Sequence, residues 1–296
     1  MNMNFKERNL YTKIWEVKNP IAILQITHGM TEHIERYDEL ANYLNEHNII
    51  VAGYDLRGHG HNSSNLVATF GENGWEESLE DIHCFQQYLE IKYPSLPHFI
   101  LGFSLGSFLV REYLNKYNDR LNGAIIMGTG QQPGFILSII MKIVQDQINK
   151  YGFNNTTDLV QKLSFDTYNN KFKPNKTKMD WLCSDENKLN EYMNDTLCKE
   201  SISSGLFYQL LNSMKTTAKS YDNWQKDIPI LLVSGDEDPV GDFKKGVYSV
   251  EKEMKKHIKN VTLNLYKGRH DILHEEKNQT AEHVRSIIGE FVLNYL

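Results

Sequence analysis

The stretch Gly102-Phe103-Ser104-Leu105-Gly106 sets a hydroxyl between two residues that lack side chains. Before it, His98-Phe99-Ile100-Leu101 is apolar enough for a buried strand; after it, Leu105, Leu109 and Tyr113 recur at helical spacing. A sharp strand-to-helix turn lifts such a serine above the sheet edge, and the glycines stand where a side chain would collide. The backbone N–H of Leu105 then lies at a helix N-terminus, aimed at negative charge developing beside Ser104. The chemistry this suits is nucleophilic attack on a carbonyl, which needs a base, an acid to orient it and a second oxyanion donor. Taken alone, the five residues read equally well as an ordinary glycine-rich turn.

The elements that must position these groups come from the hydrophobic pattern. Apolar runs at 21–27, 49–54, 99–103, 123–127, 228–233 and 261–266 read as strands. Between the first four lie helical patterns: Ile34, Tyr37, Ala41 and Leu44 make one stripe, Leu79, Ile82, Phe85 and Leu89 a second, and the residues after Ser104 a third. This alternation predicts an α/β fold, a mostly parallel sheet flanked by helices, with ligands bound beyond the carboxyl ends of the strands. The alternation stops after Met127 and returns at Ile228; the stretch between has helix-like segments, many Asn and Lys residues and no convincing strand. The expected organisation is a core over 1–130 and 224–296 with a helical insertion over 131–223 sitting on the sheet.

Each strand end offers a candidate. His28-Gly29-Met30-Thr31 follows the first, and the N–H of Met30 is placed to join that of Leu105 as a two-donor oxyanion hole; a plain turn reads as well. Ser234-Gly235-Asp236-Glu237-Asp238-Pro239 follows the fifth. Acidic residues in such loops are commonly solvated turn formers, but a carboxylate stiffened by proline can orient a histidine, and Asp238 is preferred to Asp236, with Asp242 third. Lys267-Gly268-Arg269-His270-Asp271-Ile272-Leu273-His274 follows the last strand; His270 lies nearer the strand end, and His274, one helical turn on, reads as a packing residue. Serine, aspartate and histidine, each behind a different strand of one sheet, occur in the order that the α/β-hydrolase topology requires.

The chain resembles the α/β-hydrolases, and within them the monoacylglycerol lipase and lysophospholipase-like serine hydrolases. The resemblance rests on ITHGMTEHIERYDELANYL, VAGYDLRGHGHN, LGFSLGS, SGDEDPVGD and GRHDILHE, in order and across nearly the whole core. It implies Ser104 as nucleophile, His270 as base, Asp238 as orienting acid, and Met30 and Leu105 as oxyanion donors. It also implies hydrolysis of carboxylic esters through an acyl-enzyme without metal or organic cofactor, and a helical cap matched by position alone. Relatives often carry small residues where this chain has Met30-Thr31, so a bulkier side chain narrows the way to the oxyanion hole.

The 296 residues are 40% hydrophobic and 24% charged, as in ordinary soluble proteins, and the net charge of −6 without a Lys/Arg run excludes a nucleic-acid partner. Cys84, Cys183 and Cys198 match neither a zinc ribbon nor a redox pair and are expected to be reduced. MNMNFKERNL lacks the apolar stretch of a secretory signal, so a cytoplasmic location is expected. Asp55-Leu56-Arg57-Gly58-His59-Gly60-His61 offers a poor zinc pattern and reads as a tight loop beside the candidate site, with Arg57 held by hydrogen bonds. The apolar run 135–144 is too short to cross a bilayer but long enough to roof a lipid pocket or touch a membrane surface. Phe135, Ile136 and Phe207 are accordingly the expected substrate-binding residues, and simple packing of the insertion onto the core explains the run equally well. The rival readings are an amide or peptide hydrolase holding a substrate amine at Asp180, Asp185, Glu186 and Glu191, and a receptor that keeps the triad but senses a small molecule.

Overall fold

The structure is a computed structural model that describes residues 5–117 and 120–296. Its strands are β1 (Thr12–Trp15), β2 (Ala22–Thr27), β3 (Ile49–Tyr54), β4 (Val67–Ala68), β5 (His98–Phe103), β6 (Gly123–Met127), β7 (Ser201–Ile202), β8 (Ile230–Gly235) and β9 (Val261–Tyr266). Seven form one sheet in the order β1-β3-β2-β5-β6-β8-β9, with β1 antiparallel to β3 and every other pair parallel. This is the α/β architecture expected from the alternation.

Residues along each central strand point alternately to two separate cores, as the pleat requires. Ile23, Ile50, Ile100, Ile126 and Leu232 pack with Leu79, Ile82, Phe85 and Leu89 of α2 (Gly74–Lys92) and with α3 (Leu105–Lys116). Leu24, Val51, Leu101, Ile125 and Val233 pack on the other face with Leu40, Ala41 and Leu44 of α1 (Asp38–Glu46) and with the C-terminal helix. The stripe beginning at Ile34 is split, since Ile34–Tyr37 forms a 3-10 turn ahead of α1. The strand expected at 228–233 runs from Ile230, because Pro229 has no N–H to give the ladder, and pairs with β9 as far as Gly235.

Between β6 and β8 the chain forms α4 (Gly134–Tyr151), α5 (Asp158–Gln161), a π-helical turn (Lys162–Asp166), α6 (Thr167–Asn169), α7 (Glu186–Asn194) and α8 (Ser204–Thr216). The expectation of no strand here is corrected by β7, which pairs in parallel with β4. Ser203 N–H to Ala68 O (2.9 Å) and Glu200 N–H to Leu66 O (3.0 Å) extend that seam. The two-residue strands are too short to show any period, and only pairing with each other defines them. The helices α9 (Lys245–Met254) and α10 (Thr280–Asn294) complete the fold. Among the described residues, no helix is long and apolar enough to cross a membrane.

Candidate active site

The turn between β5 and α3 holds Ser104 at φ 50° and ψ −116°, outside the regions a serine ordinarily occupies. Two close approaches enforce it: a Cβ on Gly102 would strike the Gly106 carbonyl, and one on Gly106 would strike that of Thr27. Ser104 N–H donates to Met127 O (2.9 Å), and Ser107 donates through Oγ (2.6 Å) and N–H (2.8 Å) to Ser104 O, so the backbone is tied on both sides.

Ser104 Oγ lies 2.8 Å from His270 Nε2, and His270 Nδ1 lies 2.9 Å from Asp238 Oδ1. The carboxylate can only accept, which puts the ring proton on Nδ1 and leaves Nε2 to accept from the serine hydroxyl. Val240 N–H donates to the same Oδ1 at 2.8 Å, Asp238 is fully buried, and Oδ2 has no hydrogen-bond partner among the described residues. The His270 ring lies between Phe103 and Trp181, at centroid distances of 5.0 and 5.2 Å. Of the alternative groups, Asp236 is drawn off by Lys267 (3.5 Å) and Gly268 N–H (3.3 Å), and His274 by Asp271 (2.9 Å).

Leu105 opens α3, where its N–H has no intrahelical acceptor, and Met30 lines the same cavity as Ser104. The loop that carries Met30 is braced from behind. Gly29 N–H (2.6 Å) and Tyr37 O–H (2.9 Å) donate to Glu32 Oε1, and Arg36 Nε donates to Glu32 Oε2 at 3.1 Å. The same guanidinium donates through Nη2 to Asp271 Oδ2 at 2.7 Å, next in sequence to His270. Beside it, Leu56 N–H donates to His28 Nε2 (2.8 Å), and burial outweighs Asp55 and Glu32 in holding that imidazole below its ordinary pKa, hence neutral.

Sequence reasoning missed this buried chain of charges from the Gly29 turn to the His270 loop. Its legible signals were Glu32 and Arg36 four apart and Asp271 and His274 three apart. Burial pushes the Asp271 carboxyl up, but His274, Arg36 and His270 outweigh it and hold the pKa well below the ordinary range. A depressed carboxylate pKa contributes stability that is full above the unfolded value and lost as pH falls through the folded one. Denaturant melts between about pH 5 and about pH 1 are therefore expected to show a steep loss of stability, with little change above about pH 5. Asp271→Asn, which leaves the buried Arg36 with Glu32 as its remaining carboxylate partner among the described residues, is expected to cost about 2 kcal/mol at neutral pH and to flatten that acid limb. An unchanged acid limb in the variant would place the titration elsewhere.

The cavity at Ser104 is lined by Met30, Thr31, Glu32, Phe103, Phe165, Met179, Trp181, Leu182, Tyr192 and His270, and its volume, about 20 Å³, suits one water. A second cavity of about 830 Å³ shares Phe165, Met179 and Tyr192 with it, so these three side chains form the partition. The expectation for Phe135, Ile136 and Phe207 is corrected here, because none of them lines the cavity at Ser104. Helix α4 turns Leu137, Met141 and Val144 inward, which leaves Phe135 70% and Ile136 36% exposed, and Phe207, on the inward face of α8, is buried in the core. The four acidic residues expected for an amine pocket are engaged locally instead. Asp180 accepts from the N–H groups of Lys176 and Thr177, Asp185 caps α7, Glu186 pairs with Lys176, and Glu191 with Lys188. Arg57 is held by Asp81 and Glu77, as its loop suggested.

Similarity to known proteins follows the same outline. Mouse monoglyceride lipase is 25% identical over 297 residues, covering 98% of this chain and 88% of the relative. A thermostable carboxyl esterase from Bacillus coagulans, solved with glycerol, superposes with a TM-score of 0.85 at 24% identity over 96% of this chain and 93% of its own. A lipase solved in an open form gives 0.85 at 26% identity over 96% and 94%. Residues 18–277 match the Hydrolase_4 family, described as "Serine aminopeptidase, S33". With that match spanning most of its length on a parallel, helix-flanked sheet, the chain belongs to the Hydrolase_4 family and is an α/β-hydrolase related to the monoglyceride lipases.

Proposed function

We propose that the protein hydrolyses carboxylic esters of lipid type, monoacylglycerols or lysophospholipids, with Ser104 as nucleophile. The observation that carries this reading is the buried relay Ser104–His270–Asp238 opening on an apolar wall of Phe103, Phe165, Met179, Trp181 and Leu182. His270 takes the Ser104 proton as Oγ attacks the ester carbonyl, Asp238 stabilises the imidazolium, and the N–H groups of Met30 and Leu105 receive the oxyanion. The imidazolium then protonates the departing alcohol. Water repeats the attack on the acyl-enzyme, and a carboxylic acid leaves. These steps need no group beyond the side chains named. The enzyme is thus a carboxylic ester hydrolase.

Residues 131–223 serve as a cap in this reading. The cavity at Ser104 has a volume of only about 20 Å³, so admitting an acyl chain requires displacement of the Phe165, Met179 and Tyr192 partition toward the larger space beyond. The outward face of α4, with Phe135, Ile136 and Ile139 exposed, is the surface through which the cap meets lipid aggregates. The three cysteines are free and buried, which suits the reducing cytoplasm. An aminopeptidase would aim a carboxylate at a substrate amine; the one carboxylate lining the cavity, Glu32, is taken up by Gly29, Tyr37 and Arg36.

Hydrolysis measured across esters from acetyl to oleoyl, with monoacylglycerol and lysophosphatidylcholine included, is expected to rise with acyl length. Activity confined to short esters would discard the lipid substrate and keep the esterase; cleavage of amides in preference to esters would discard both.

A further inference from the structure

One cluster of potential ligands lies outside the relay, where the cap meets the core. A ring nitrogen of His33, a carboxylate oxygen of Asp195 and the Sγ of Cys198 all lie within 4.8 Å of one another. His33 and Cys198 are buried and Asp195 is half-buried. His33 Nε2 faces Asp195 Oδ2 at 2.7 Å, while His33 Nδ1 is buried without a hydrogen-bond partner among the described residues. The turn that presents the other two donors is preformed: Leu197 N–H donates to Asp195 Oδ1 (2.8 Å) and Cys198 N–H to Asp195 O (3.1 Å).

We propose that His33, Asp195 and Cys198 bind a thiophilic divalent cation of the zinc class, with water completing a tetrahedral shell. Imidazole nitrogen, carboxylate oxygen and thiolate sulfur form a donor set that suits zinc and is ill suited to the hard cations calcium and magnesium. Charge balances, since one thiolate and one carboxylate neutralise the dication. On binding, the Cys198 thiol releases its proton to solvent, the His33 ring proton moves from Nε2 to Nδ1, and the His33–Asp195 hydrogen bond gives way to bonds from each residue to the metal. The nearby Arg36 guanidinium does not oppose the cation with a free charge, because Glu32 and Asp271 both pair with it. Access comes from two sides. One open cavity of about 310 Å³ reaches His33 and Asp195, and the cavity of about 830 Å³ reaches Asp195 and Cys198.

The site joins two parts of the chain far apart in sequence. His33 follows directly on the loop of Gly29, Met30 and Glu32, whereas Asp195 and Cys198 lie between α7 and β7. The cation therefore acts as a staple across a seam already closed by Lys199 N–H to Thr31 O (2.9 Å) and by the Thr31–Tyr192 hydroxyl contact (2.8 Å).

Cadmium serves as the spectroscopic probe, through the ultraviolet charge-transfer band of a cadmium–thiolate bond. Titration of the full chain is expected to develop that band with one equivalent of cadmium, and zinc to displace it. Cys84→Ser/Cys183→Ser, which keeps Cys198 as the sole thiol, is expected to retain the band, and Cys198→Ser to lose it. Asp195→Asn and His33→Asn are expected to weaken binding by at least about tenfold. No band in the wild type, a band that persists in Cys198→Ser, or wild-type affinity in both Asp195→Asn and His33→Asn would overturn the proposal. Because the assignment to Cys198 is also read in the protein that retains it, misfolding of Cys198→Ser leaves the test decisive.

Discussion

Ser104→Ala is expected to reduce ester hydrolysis by up to about 10⁶-fold in kcat, leaving only the slow catalysis that binding and oxyanion donors supply without a nucleophile. The loss should fall on chemistry and not on folding. Ser104 sits at φ 50°, and alanine shares its Cβ, so the substitution neither adds to nor relieves the strain of the turn. The Ser104 N–H to Met127 O bond and the two bonds that Ser107 donates to Ser104 O involve only the backbone of residue 104 and survive the change. An active-site titration with a chromogenic ester reads the effect: the wild type should release a burst of alcohol equal to the enzyme present, and the variant none, at an unchanged melting temperature. A burst in Ser104→Ala would place the nucleophile elsewhere.

The second large effect is expected from Asp238→Asn, on the order of 10³-fold in kcat/KM at neutral pH. Its size depends on which way the amide turns. Asp238 Oδ1 accepts from both Val240 N–H and His270 Nδ1, whereas Oδ2 is buried without a partner. An asparagine that keeps its carbonyl at the Oδ1 position retains both bonds and the productive ring tautomer, so the loss is that of the negative charge facing the imidazolium. The reverse orientation would donate to Nδ1, force the proton onto Nε2 and cost about tenfold more. Nitrogen chemical shifts of the His270 ring distinguish the two. Asp236→Asn and Asp242→Asn are the controls, and a drop of less than tenfold in Asp238→Asn would remove that residue from the relay.

How much of this was legible in the sequence depended on whether the controlling contacts were local. Strands β2, β3, β5, β6 and β8 are buried on both faces, so they stand out as continuous apolar runs. Strand β1 is half-buried along its length, and Thr12-Lys13-Ile14-Trp15 carries no such mark. Ser104, Asp238 and His270, which the fold brings within hydrogen-bonding reach of one another, were legible as candidates because each follows a strand end within a short motif. Met179, Trp181 and Leu182 lie outside any regular element and reach the cavity only through the fold. The apolar run at the start of α4 misled for a physical reason: hydrophobicity alone does not say which side of a helix faces the core. The spacing of Leu137, Met141 and Val144 does say so, and it turns Phe135 and Ile136 away from the site.

The strands on either side of the helical insertion, β6 and β8, are hydrogen-bonded neighbours, with Met127 opposite Val233 and Ala124 opposite Ile230. Because the two strands run parallel, the chain leaves β6 at its carboxyl end and re-enters β8 at its amino end, so the excursion must recross the length of the sheet but is otherwise free in length. Lengthening, shortening or exchanging that excursion leaves strand register untouched and adds only a slowly growing loop-closure entropy. The fold thus behaves as a socket with a replaceable fitting: evolution or an engineer can rewrite what the hydrolase admits so long as the new fitting still offers a ring like Trp181 to His270 and a carbonyl like that of Leu182 to the Asp271 N–H.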